Sequence, residues 1–246
     1  MKRRCYGILP MAGKGKRIQP IAFSKELYPV VYRGKHYAVS EFSIKAMLKA
    51  KVDEIRLVIN PEKLDIVKYY AKYKAPIAMY FNKSRNQPES CLFPIKTMQS
   101  DDICLFGLPD TIFKPKDGLV KVRQALAAGA DMALGLFWVE DGTKFDSVLL
   151  DNQNRVLQIK PKYHPPPLSH YIWGIWGAKV KTLWELKKVI AKQKVSKGQE
   201  RILGVGLGEI AQNKKFKVVG IKLGNFYVDI GSASAALEVQ QLMKEA

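Results

Sequence analysis

The chain has 246 residues, enough for one α/β domain, and its 47% apolar and 26% charged content fits a folded globular protein rather than a disordered one. Forty-one basic against 22 acidic residues leave a net charge of +19, a field that draws polyanions, so nucleic acid and phosphate-rich small substrates both enter consideration. No apolar run reaches the roughly 18–20 residues of a membrane helix, and Cys5, Cys91 and Cys104 are odd in number and unpaired in spacing, which argues against a disulfide framework and a zinc site.

The N-terminus, Met1-Lys2-Arg3-Arg4 and the apolar stretch after it, imitates a signal peptide. Lys14, Lys16 and Arg17 interrupt the run at once and no small-residue cleavage site follows. It reads as the first buried strand of a cytoplasmic protein. Further strands are predicted at 55–59, 77–81, 103–106 and 132–138, from short runs rich in β-branched and aromatic residues. Between them, 37–50, 61–72, 88–98 and 118–128 carry helical periodicity, with Asn60-Pro61 as a start signal. Strand and helix in alternation predict a largely parallel sheet covered on both faces.

After residue 140 the rhythm changes. Strands at 148–151 and 155–159 flank the turn Asn152-Gln153-Asn154, and Pro165-Pro166-Pro167 stiffens the connection to a strand at 171–178. Helices near 181–193 and 201–212, strands near 216–222 and 226–229, and a last helix from about 232 complete one domain over 1–246. The basic residues are dispersed, and Lys187, Lys188, Lys192, Lys194 and Lys197 read as the solvated face and end of a helix. His36, His164 and His170 form no metal-ligand pattern.

The sharpest segment runs from Gly7 through Ala12, Gly13, Gly15, Lys16 and Arg17 to Ser24-Lys25-Glu26-Leu27-Tyr28-Pro29. Glycines after a buried strand let backbone N–H groups approach phosphate oxygens, and cations beside them balance triphosphate charge. A Walker loop does not fit, and a dinucleotide fingerprint would need glycine where Ile18 stands. On its own, Gly-x-Gly is also satisfied by a tight turn beside a basic surface.

The longer pattern Gly13-x-Gly15-x-Arg17, followed by Lys25-x-Leu27-x-Pro29, resembles the signature of the sugar-phosphate nucleotidyltransferases, the glucose-1-phosphate thymidylyltransferase group above all. Lys16 stands where that family has threonine. The resemblance implies a Rossmann-like three-layer α/β sandwich with a mostly parallel central mixed sheet, of the nucleotide-diphospho-sugar transferase type. It also implies a single domain without a C-terminal repeat domain. Asp110, ending the strand 103–106 and its loop, resembles a magnesium-binding aspartate, with Pro109 in place of a glycine. Asp229 in Tyr227-Val-Asp-Ile-Gly231 resembles the second. Gln158-Ile159-Lys160-Pro161 resembles Glu-Lys-Pro, so that Lys160 would contact the sugar phosphate while Ile159 replaces a glutamate that contacts sugar hydroxyls. Tyr171 to Trp176 resembles the strand beside the sugar, with Gly174 as a contact and Trp173 where threonine is usual. Gln87 is the base-recognition candidate.

The implied activity joins a nucleoside triphosphate to a sugar 1-phosphate with Mg2+ and releases pyrophosphate. Asp110 and Asp229 would hold the metal, Arg17 the departing pyrophosphate, Lys25 the α-phosphate charge and Lys160 the acceptor phosphate. Ala12, Gly13, Gly15 and Lys16 would line the nucleotide. Neither nucleic acid nor membrane is an expected partner, and a homo-oligomer is compatible with the sequence. Three rivals remain open: a cytidylyltransferase acting on another small phosphorylated acceptor, a basic nucleic-acid-binding protein, and a non-catalytic nucleotide sensor.

Overall fold

A computed structural model of the chain describes residues 3–13, 15, 18–162, 164–196 and 199–244. Lys16 and Arg17, both expected at the nucleotide, and Lys197, expected at the end of a solvated helix, lie outside those residues.

The first strand, β1 (Cys5–Met11), sits at the centre of the large sheet, parallel to β4 (Glu54–Ile59) on one side and to β6 (Ile103–Phe106) on the other. Outside β4 lies β5 (Ile77–Phe81), again parallel. Outside β6 the direction reverses: β11 (Tyr171–Lys179) is antiparallel to β6 and to β8 (Met132–Trp138), and β12 (Val218–Gly224) closes that side parallel to β8. The reversal follows the hairpin of β9 (Ser147–Leu150) and β10 (Val156–Lys160), which returns the chain along the sheet before β11 re-enters it.

Period-two alternation divides the strand side chains between two faces. On one face Leu9, Leu57, Ile59 and Leu105 pack against Ile44 and Met47 of α1 (Ser40–Lys49), Ile66 of α2 (Leu64–Tyr70) and Val122 of α4 (Gly118–Ala127). On the other, Ile8, Val58, Phe106 and Trp176 pack against Leu92 of α3 (Gln87–Leu92), Leu186 of α5 (Val180–Lys192) and Leu207 of α6 (Leu203–Gln212). The result is the expected three-layer sandwich.

Three local expectations are corrected. The helix predicted from 37 starts at Ser40, because Lys35–Ala38 forms β3, hairpin partner of β2 (Pro29–Tyr32). The helix predicted from 61 starts at Leu64. Asn60 instead turns the chain with its side chain, Oδ1 accepting from the Glu62 N–H at 3.1 Å. The predicted helix 88–98 is α3 continued by a 3-10 segment, Phe93–Thr97. A strand the patterning missed, β7 (Thr111–Lys114), pairs antiparallel with β13 (Phe226–Asp229) in a small sheet of its own. That sheet, the β2–β3 hairpin and α7 (Ala233–Lys244) share a third core around Val30, Ile112, Ile230 and Val239.

Candidate active site

β1 and β6 are neighbours, so their carboxyl ends bring two loops together, as expected for ligand sites in open α/β sheets. The first loop carries Gly13 and Gly15. Gly15 has φ +62°, a left-handed conformation that glycine adopts without strain, and a Cβ there would stand 3.2 Å from Lys25 Cδ. Gly15 therefore lies directly over the Lys25 stem. Ala12 is buried beneath it, whereas Gly13 is exposed.

Lys25 is held by its neighbours in sequence. Ser24 donates to Asp65 twice, from its N–H at 2.6 Å and its hydroxyl at 2.8 Å. Burial raises the Asp65 pKa, and the bonds from Ser24 outweigh burial and hold it below the usual carboxylate range. On the other side Glu26, fully buried, accepts from Lys63 Nζ with both oxygens at 2.8 Å, and Lys63 also donates to the Met11 carbonyl at 3.0 Å. This pair ties the 3-10 turn Lys25–Leu27 to the end of β1 and leaves the Lys25 ammonium to ion-pair with Asp110. Burial lowers the Lys25 pKa. The Asp110 carboxylate, with Glu26 and Asp229 behind it, reverses that and leaves it above the ordinary lysine value.

Asp110 and Asp229 arrive from the middle of the chain and from near its C-terminus. The β7–β13 ladder pairs Thr111 with Asp229, and the Ile230 N–H donates to the Asp110 carbonyl at 2.8 Å. The two expected metal aspartates are thus neighbours, with Lys25 beside them. Below them Tyr227 is enclosed by Phe137, at 5.0 Å between ring centroids, and Phe145, at 5.8 Å. Burial, then the charges of Asp229 and Asp110, push its phenol well above the ordinary tyrosine range.

Gly174 lies under the same ring. It is the residue at which the β11–β8 register slips, between Trp173 and Ile175, and a Cβ there would come within 2.2 Å of Tyr227. The glycine is required by this close approach. Ile159, buried at 6% exposure, packs against Gly208 of α6, while Lys160 at the end of β10 is half-buried and pairs in register with Ser147. Gln87 is exposed at the first turn of α3, where Asn86 supplies the cap to the Glu89 N–H at 3.0 Å. A cleft of about 490 Å³ opens beside Lys25, lined among others by Gln19, Phe23, Ser24, Asn60 and Lys63.

A family model described as nucleotidyl transferase matches residues 6–245. The chain belongs to that family. Among curated relatives, the bifunctional protein GlmU of Methanocaldococcus jannaschii is 24% identical over 237 residues, covering 96% of this chain and 53% of that protein. GlmU of Bartonella quintana is 23% identical over 164 residues, covering 65% of this chain and 35% of that protein. The chain thus spans about half the length of the first relative and a third of the second. Solved structures share the fold of this nucleotidyl transferase. A Bacillus anthracis protein assigned as glucose-1-phosphate thymidylyltransferase, crystallised with a sucrose, superposes with a TM-score of 0.79 at 18% identity, covering 98% of this chain and 96% of that one. Apo UDP-glucose pyrophosphorylase superposes with a TM-score of 0.81 at 12% identity, with 98% of both chains covered.

Sequence reasoning named Lys25, Asp110, Asp229 and Lys160, but missed Glu26, Lys63, Asp65 and Tyr227, which hold the first three in place. Glu26 sits inside the quoted motif and its burial could have been suspected. Lys63 and Asp65 belong to an ordinary charged helix start, and nothing in their spacing marks them.

Proposed function

We propose that this nucleotidyl transferase transfers the nucleoside monophosphate of an NTP to a sugar 1-phosphate and releases pyrophosphate. The observation that carries the reading is the meeting of Lys25, Asp110 and Asp229 beside the Gly13–Gly15 turn. In-line transfer needs no protein nucleophile, since positioning and charge stabilisation supply the rate. An acceptor-phosphate oxygen forms the new bond to the α-phosphorus. The bond to the bridging oxygen breaks, and its electron pair leaves with pyrophosphate.

The chain's residues divide that work. Backbone at Gly13 and Gly15 faces the triphosphate, and Lys25 exchanges its carboxylate partner for the α-phosphate as negative charge gathers there. Arg17 receives the departing pyrophosphate, Lys160 seats the acceptor phosphate, and Gln87 is the candidate contact to the base. Two adjacent carboxylates fit magnesium, a hard cation that takes one or two carboxylates and completes its shell with water and phosphate oxygens. Held by Asp110 and Asp229, it would neutralise phosphate charge at the reacting centre.

Incubation with Mg2+, each of five NTPs in turn and a panel of sugar 1-phosphates tests the reading by pyrophosphate release. Release that needs both substrates is expected, falling at least about a hundredfold in Asp110→Asn. Full magnesium-dependent turnover in that variant would sink the scheme. One observation favours a second acceptor class: Ile159 turns into the core and Trp173 stands next to Gly174, so a small phospho-alcohol with a cytidine donor belongs in the panel.

A further inference from the structure

Asp146 is a carboxylate for which the reaction as described has no use. It precedes β9, and its place in the ladders is informative. Ser147 pairs with Lys160 of β10 and with Ile172 of β11. The next positions along those two ladders set Asp146 beside Pro161 on one side and Trp173 on the other. Its Oδ1 accepts from the Lys162 N–H at 3.1 Å. Its Oδ2 fills the space over Gly204 in the first turn of α6, where a Cβ would stand only 2.0 Å away.

The Trp173 indole N–H faces the same carboxyl and lowers its pKa without reaching full hydrogen-bond geometry. Nε1 is buried and has no hydrogen-bond partner among the described residues. Burial dominates, and the net effect is a carboxyl held above the ordinary aspartate range, with the Lys162 N–H and Trp173 opposing it. A polar group in such surroundings is costly unless hydrogen bonds compensate it, and a satisfied one rigidifies its partners, here the Lys162 N–H. What surrounds Asp146 is the acceptor side of the proposed site: the turn after Lys160, Trp173, and Gly174 under Tyr227.

We propose that Asp146 is a positioning residue of the acceptor site, a half-buried clamp that fixes the Lys160–Lys162 turn against β11 and α6. So held, Lys160 presents its ammonium at a fixed place to the acceptor phosphate. The clamp rests on the sugar-phosphate reading above. It acts through Lys160 and leaves the nucleotide side, built on β1, β6 and β7, untouched.

The test compares wild type, Asp146→Ala and Asp146→Asn in steady-state pyrophosphate release, varying the NTP and the best-used sugar 1-phosphate separately. Asparagine keeps an oxygen that accepts from the Lys162 N–H, and alanine does not. Asp146→Ala should raise KM for the sugar 1-phosphate about tenfold with the NTP KM within twofold, and Asp146→Asn should stay within threefold of wild type on both. An unchanged acceptor KM in folded Asp146→Ala, or NTP and acceptor KM rising together, overturns the clamp. Amide hydrogen exchange separates this from failure of the functional reading. Even if wild type turns over no pair, Lys162 should exchange at least about tenfold faster in Asp146→Ala and not in Asp146→Asn. Unchanged exchange at Lys162 refutes the clamp by itself.

Discussion

In the resting protein the Lys25 ammonium occupies the Asp110 carboxylate that the proposed reaction assigns to a metal. The two cations compete for one anion at contact distance, where charge–charge energies in a partly buried site reach several kcal/mol. Replacing Lys25 by methionine keeps the stem that packs under Gly15 and removes the competitor. Nucleotide-free Lys25→Met should therefore bind Mn2+ about tenfold more tightly than wild type, read as loss of the free-ion signal in electron paramagnetic resonance. Equal affinities would mean that Lys25 does not guard the carboxylates. Glu26 shows the complementary principle one residue on. Burial raises its pKa, and Lys63, then Lys25, oppose the shift, so the ion pair compensates a desolvated carboxylate instead of adding net stability.

At the scale of elements, the large sheet is locked at its far side by one aspartate. Asp131 precedes β8 and accepts from Lys179 Nζ at the end of β11, at 2.9 Å, and from the Lys217 N–H just before β12, at 3.0 Å. Burial raises its pKa, but the Lys179 and Lys217 bonds outweigh burial and leave it below the usual aspartate range. A folded-state pKa below the unfolded one stabilises above the unfolded value, near 3.9, and the contribution is lost as pH falls through the folded value. Wild type should therefore be more stable than Asp131→Asn by on the order of 1 kcal/mol near neutrality. The two denaturation curves should converge below about pH 4. Curves that stay parallel through that range would show that the strands are locked without this charge. Elements were largely legible in the sequence where one rule set them. The runs 77–81, 103–106 and 132–138 are fully buried or edge strands bounded by turn residues, and they stand as predicted. The misses, β2, β3 and β7, are four-residue strands in which alternation is brief, whereas β13, equally short, was marked by its run Phe226-Tyr-Val of aromatic and β-branched residues.

Across the whole molecule, the three cysteines report on one property, a thick apolar interior on both faces of the large sheet. Cys5, Cys91 and Cys104 all lie within it as free thiols. Burial pushes Cys5 and Cys91 up to about 12 and holds Cys104 well above the ordinary thiol value, so almost no thiolate exists at neutral pH. At pH 8 a thiol-specific reagent should label the native protein only as fast as it opens, and label all three sites at once in denaturant. Rapid labelling of any one of them in the native state would contradict the interior described. No helix among the described residues is long and apolar enough to cross a membrane.

Sequence alone determined what depends on local pattern. Alternating strands and helices dictated a layered, mostly parallel sheet. The Gly15 turn was marked because few other residues accept its conformation, and the resemblance to the nucleotidyltransferase signature grouped Lys25, Asp110 and Asp229 as an expected set. Tertiary structure alone decided what depends on distance through space. Asp110 and Asp229 are 119 positions apart, and only the β7–β13 ladder makes them neighbours. Ser24 meets Asp65 and Glu26 meets Lys63 because β1 and β4 are adjacent strands whose loops emerge at the same edge. Asp146 carries no motif at all. Its partners, the Lys162 N–H, Trp173 and Gly204, come from three separate elements, and a polar residue's partners across a fold leave no periodic trace in the chain.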